Sequence, residues 1–233
     1  MQSCLSAYIL FETWINTPME SYKRNQVLEA ISVTRGEGPS PSEALRIAAK
    51  RLLDTDRILK RSPRSNDPEK SNYAFFSSEA PGRGSEVLFS PYEAFALLLG
   101  ANLLQHGWPQ RAAVKILRRA RPLLEPKHAE ILNWDTAELF DRQKIMQSAK
   151  PGDLAVLTTR AVSLVIASRK GPPVDHAADG SREVAVLEDQ ELMPFLRREA
   201  GISSTVIELT RLAHDLQAVL SKTTPSKRGR GSA

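Results

Sequence analysis

Cysteine is almost missing, with Cys4 the only one in 233 residues. That excludes an internal disulfide framework, a multi-cysteine zinc site and a cysteine-held cluster, and makes a reducing cytoplasm the expected compartment. Long apolar runs are missing too. None approaches the roughly 20 residues a membrane-crossing helix needs, so no membrane partner is predicted. The apolar stretch 5–11 fails as a secretory leader: no basic segment precedes it, Glu12 follows it, and no small-residue cleavage site stands at the right distance. Met19 opens a more ordinary start, and residues 1–18 read as a disordered upstream extension of the reading frame. Catalytic signatures are equally scarce. There is no G-x-S-x-G, no phosphate loop and no G-x-G-x-x-G after a strand; Gly82-Arg83-Gly84 lies between predicted strands. His106, His128, His176 and His214 have no second histidine or cysteine at ligand spacing. Asp175, His176 and Asp179 fall in a loop bearing glycine and proline. The expectation is a protein that is not an enzyme, with no cofactor and no metal.

What is present suits a packed globular chain: 41% hydrophobic and 25% charged residues, with 32 Lys and Arg against 27 Asp and Glu, a net charge of +5. The patterning predicts an α+β, mainly helical fold. It comprises a helix-turn-helix-like core with a small antiparallel hairpin, a small C-terminal sheet and a long C-terminal helix. Residues 19–150 form the predicted helical part, 151–221 the sheet and last helix, and 222–233 a basic disordered tail. A first helix is predicted over 20–32. A second opens at Ser40, with Pro41 at its first position and Glu43 closing a capping box, and runs to Arg61. It has Leu45, Ala48, Leu52 and Leu59 on one face and Arg46, Lys50, Arg57 and Lys60 mostly elsewhere. Segments 73–76 and 86–89 read as the hairpin strands. Ser90 and Glu93 repeat the capping box, a recurrence better explained by common cap chemistry than by an internal repeat.

The segment 90–132 is the most informative. Residues 92–105 are so apolar that the helix must be buried on most of its circumference. Gly107 and Pro109 end it sharply, and a second helix, 109–121, is stopped by Pro122. Two helices joined by a short glycine-bearing turn make a helix-turn-helix unit. Here the second helix is basic: 109–128 holds Arg111, Lys115, Arg118, Arg119, Arg121 and Lys127 against Glu125 alone. Such a concentration suits phosphate neutralisation on duplex DNA. Gln110 and Arg111 are types that pair with adenine and guanine edges, leaving Lys115, Arg118 and Arg119 mainly for phosphates, with Arg121 a further expected DNA contact. The thirty-residue unit resembles helix-turn-helix DNA-binding regulators. Against the pattern, Asn102 and His106 stand on the first helix where apolar residues are preferred, and Trp108 is large for a turn. The whole chain is also similar to uncharacterised bacterial proteins, through NYAFFSSE, YEAFALLLG and HGWPQ. That resemblance implies no activity. Competing readings of the basic helix are a solvated surface and a protein-docking face.

Farther on, a helix is predicted over 136–147, begun by Asp135 and Glu138. Paired strands follow at 154–158 and 162–168, with a third at 183–187 beyond a disordered-looking loop. The last predicted helix, 203–221, places Val206, Leu209, Ala213, Leu216 and Leu220 at alternating three- and four-residue steps. That seam either docks on its own domain or makes a homodimer. The leading functional expectation is a DNA-binding transcriptional regulator acting on double-stranded DNA; the alternative is a non-enzymatic adaptor docking through its apolar helices.

Overall fold

The segment Pro91–Gln105 carries so few polar side chains that it has no solvent face, and the rest of the molecule is arranged around it. In the computed structural model, which describes residues 21–78, 87–148, 158–168, 182–198 and 203–224, it is the central helix. Strand β1 (Tyr22–Lys23) leads into α1 (Arg24–Thr34), α2 (Glu43–Ile58) and the single turn α3 (Pro68–Ser71). Strand β2 (Leu88–Phe89) precedes the central helix, α4, and α5 (Gln110–Leu132) follows it, then the short α6 (Thr136–Leu139) and α7 (Arg142–Ser148). The C-terminal part is β3 (Val162–Ser168), β4 (Arg182–Glu188), α8 (Asp189–Arg198), β5 (Ser203–Glu208) and α9 (Thr210–Leu220). The chain is thus α+β and mainly helical, and among the described residues no helix is long and apolar enough to cross a membrane.

Ser90 caps α4 as predicted: its hydroxyl accepts from the Glu93 N–H at 3.2 Å, and the Glu93 carboxylate accepts from the Ser90 N–H at 2.8 Å. Phe95, Leu97, Leu98, Leu99 and Leu103 are all fully buried. Gly100 lets three neighbours close in, since a Cβ there would stand 3.1 Å from Leu52 and 3.2 Å from Phe75. After α4, Gly107 takes φ 83°, the left-handed value that ends a helix most easily in glycine. The next helix does not stop at Pro122. It runs on through Pro122 and Pro126 to Leu132, with both proline rings on the exposed side, while Leu124, His128 and Ile131 continue the buried stripe.

The three-stranded sheet has the order β4-β3-β5, antiparallel throughout, with Leu164 opposite Val186 on one side and Ile207 on the other. Val162, Leu164 and Ile166 join the helical core, and α8 packs on β3 and β4. The predicted segments 19–150 and 151–221 therefore share one core.

Several boundaries differ from expectation for local reasons. The cap of α2 is Ser42, whose hydroxyl accepts from the Leu45 N–H at 3.2 Å; the predicted Ser40 lies two residues upstream. The predicted hairpin is not formed. Segment 73–76 is irregular, and β2 pairs with β1, Tyr22 opposite Phe89. The predicted helix over 136–147 is split, because Asp141 starts a new turn by accepting from the Gln143 and Lys144 N–H groups. The predicted strand 154–158 (bar Thr158), the loop 171–181, residues 1–18 and the tail from 225 onward lie outside the described residues.

Candidate nucleic-acid interface

Five of the six basic residues of α5, all but Arg111, are engaged within the protein. Arg118, with a side chain 2% exposed, places Nε 2.6 Å from the Asp56 carboxylate and donates to the carbonyls of Asp56 and Leu59. Those carbonyls belong to the end of α2, where no intrahelical donor is left for them. Arg121 is buried as well: its guanidinium donates to the Tyr73 and Phe76 carbonyls and pairs with Glu125 at 2.9 Å. The second Asp56 oxygen accepts from the N–H groups of Ala74 and Phe75, at 2.9 and 3.0 Å. Asp56 and Arg121 thus satisfy a buried irregular segment that no strand partner serves, and Arg118 holds Asp56 in place. Lys115 and Arg119 share Glu69, at 3.1 and 2.7 Å. Gln110 donates to the Arg51 carbonyl at 3.0 Å and to the Thr55 hydroxyl.

Of the six residues predicted to touch DNA, only Arg111 is exposed. The DNA contacts predicted for Arg118 and Arg121 are corrected outright, because both guanidiniums lie inside the fold, where withdrawing one would strand a buried carboxylate or carbonyls. Gln110, Lys115 and Arg119 are held by partners on α2 and α3. The helix that reads from its sequence as a DNA-facing element braces its neighbour. No family model, curated protein or solved structure matches this chain.

The helix being braced, α2, has the free surface. It is reached from α1 by a turn in which Gly36 and Gly38 adopt φ of 75° and 89°, and the Gly36 and Glu37 N–H groups close the end of α1 onto the Val33 and Ser32 carbonyls, both at 2.9 Å. Leu45, Ala49, Leu52, Leu53 and Asp56 face the core at helical spacing. The opposite stripe, Glu43, Arg46, Ile47, Lys50, Arg51 and Arg57, is exposed. Among the described residues no carboxylate pairs with Arg46, Lys50 or Arg51; Arg46 Nε donates to the Pro41 carbonyl at 3.1 Å, and Arg57 lies 3.8 Å from Asp54. Arg24, at the start of α1, joins this patch: burial lowers its pKa, Asp54 opposes that shift and Arg57 adds to it. The sequence held the signal, since Arg46, Lys50 and Arg57 stand off the apolar face of α2. It was masked by the denser run in α5, whose partners Asp56 and Glu69 are distant in sequence.

The proposed dimer seam is also corrected. Residues 203–221 are not one helix, because β5 joins the sheet before α9 begins. Leu209, Ala213, Leu216 and Leu220 are each no more than 1% exposed, packed in the chain's own core, while Val206 lies on β5 and is 42% exposed. That burial leaves Leu209, Ala213, Leu216 and Leu220 no free surface for a partner.

His128 and His214 lie off this surface. His128 on α5 stacks on Phe95 with centroids 4.5 Å apart and meets Tyr92 edge-on at 5.9 Å. Burial, with His214 adding its charge, pushes His128 down to about 4. His214 on α9 is lowered as well, mainly by burial, and its Nε2 has no hydrogen-bond partner. Burial likewise raises the Tyr92 hydroxyl. Among the described residues, no group of three His, Cys, Asp or Glu side chains converges as a metal site.

Proposed function

We propose that this protein binds double-stranded DNA with α2 entering the major groove, α1 crossing behind it and α5 bracing it from within. The observation that carries this reading is the unpaired cationic stripe of α2: Arg46, Lys50 and Arg51 stand exposed, without carboxylate partners among the described residues, on the outer face of a helix reached through a glycine turn. Unpaired cations on one helix face supply the counterion release that drives DNA association. A recognition helix of this kind contacts bases with its N-terminal half, which on α2 holds Glu43, Arg46, Ile47 and Lys50 on the free side. The role this suits is transcriptional regulation.

A salt titration of fluorescence anisotropy on random and genomic duplexes tests it. Affinity is expected to fall steeply with salt, with a log-log slope of about −0.9 per phosphate neutralised. Lys50→Ala and Arg51→Ala should each flatten that slope by about 1. Lys115→Ala should leave it unchanged, since its ammonium faces Glu69. Absence of binding to any duplex at low salt overturns the proposal.

A further inference from the structure

We infer that α2 selects its sequence through the C5-methyl group of thymine, with Ile47 as the contacting side chain; the inference rests on the DNA-binding reading above. Ile47 is 41% exposed, a large aliphatic group flanked by Arg46 and Lys50 on the outer stripe. It is not among the buried core residues of α2. The core face of α2 is filled by other residues, with Leu45, Ala49 and Leu52 each no more than 2% exposed. A β-branched residue on a solvent face has lower helix propensity than the lysine or arginine beside it.

Its position gives it a use. Ile47 lies five residues past the Ser42 cap, in the half of the helix that such motifs aim at base edges. Cations before and after it would rest on phosphates or guanines, leaving an aliphatic group facing the groove floor. The thymine methyl is the aliphatic feature of that floor. Ile58, more exposed at 77%, ends the helix at the opposite pole and lacks this placement. The chemistry also separates two nucleic acids. Uracil has no C5-methyl, and the major groove of duplex RNA is too deep and narrow for a helix, so the preferred ligand is thymine-bearing duplex DNA.

The test begins with duplexes enriched from a random-sequence pool by the full chain. Each thymine of the enriched site is then replaced by deoxyuridine, removing one methyl and nothing else. At one position the loss should be about fourfold, the value of one buried carbon, with the other positions near neutral. Ile47→Ala should weaken the thymine duplex by at least as much and make that position indifferent to the replacement. Ile47→Val should keep the discrimination and, with thermal melting, shows that substitution there leaves the fold intact. If a site is enriched but no deoxyuridine position costs affinity, or if Ile47→Ala retains the full methyl effect, the inference is overturned while DNA binding stands. If no duplex is enriched or bound at low salt, DNA binding itself fails and takes this inference with it.

Discussion

Arg118 and Asp56 are the two side chains on which the shape of the outer face depends, although neither reaches it. Their pair lies 2% and 0% exposed, and removing one member leaves the other buried without its counter-charge. Asp56→Ala is expected to lower the unfolding free energy in urea by about 3–5 kcal/mol. Arg118→Met added to it should recover part of that loss. It cannot recover all, because the Ala74 and Phe75 N–H groups lose their acceptor in either background. A loss below about 1 kcal/mol for Asp56→Ala would remove the pair from this role. His128 sets a second expectation at the same scale. Its folded pKa of about 4 lies below its ordinary value of 6.5, so the unfolded chain takes up this proton first as the solution is acidified. The stability it contributes is complete above about pH 6.5 and drains away as the pH falls toward 4, by about 3 kcal/mol at most. His214 shifts in the same direction. Urea melts of the wild type and His128→Leu across that range should differ by this slope, and parallel curves would refute it.

Among the elements, α9 gives the clearest contrast between what a sequence displays and what a fold does with it. Leu209→Ala or Leu216→Ala should destabilise the chain by about 2–5 kcal/mol, the cost of emptying a core site, without altering its sedimentation. A change of oligomeric state at unchanged stability would restore the dimer reading. Three- and four-residue spacing identified the apolar side of 203–221 and could not identify its partner, which is this chain's own α1 and α5. It also hid β5, because Val206 alone fits either period. Helices with strong caps were legible: Ser90 with Glu93, and the Gly107 turn, lie where local chemistry places them. The strands Val162–Ser168 and Arg182–Glu188 were legible from their β-branched runs. Segment 73–76 was not, since its aromatic and apolar residues read as a strand while its backbone is held by Asp56 and Arg121, which are 17 and 48 residues from Tyr73. The site failed for the same reason. Charge counted along α5 ignores Glu69 and Asp56, both supplied from distant sequence.

On the scale of the whole molecule, the helices and the sheet are joined by a four-membered charge ring as well as by the core. Lys127 lies 2.7 Å from Glu130 and 3.1 Å from Glu188, Arg160 is 3.2 Å from both carboxylates, and its guanidinium rests 3.9 Å over Trp134. Burial of β3 against the helical core makes unfolding in one step the natural outcome. Coincident transitions by far-ultraviolet circular dichroism and tryptophan fluorescence are expected, and separated midpoints would show that the sheet lets go alone. The two ends of the described chain also meet. The Gln26 side chain accepts from the Lys23 N–H and donates to the Thr223 carbonyl at 3.0 Å, across 197 residues. During synthesis α1 therefore has no cover on that side until the last helix leaves the ribosome. At about 5–20 residues per second, the wait is on the order of ten to forty seconds. For that interval the contacts that α9 makes with α1 are missing from every nascent chain.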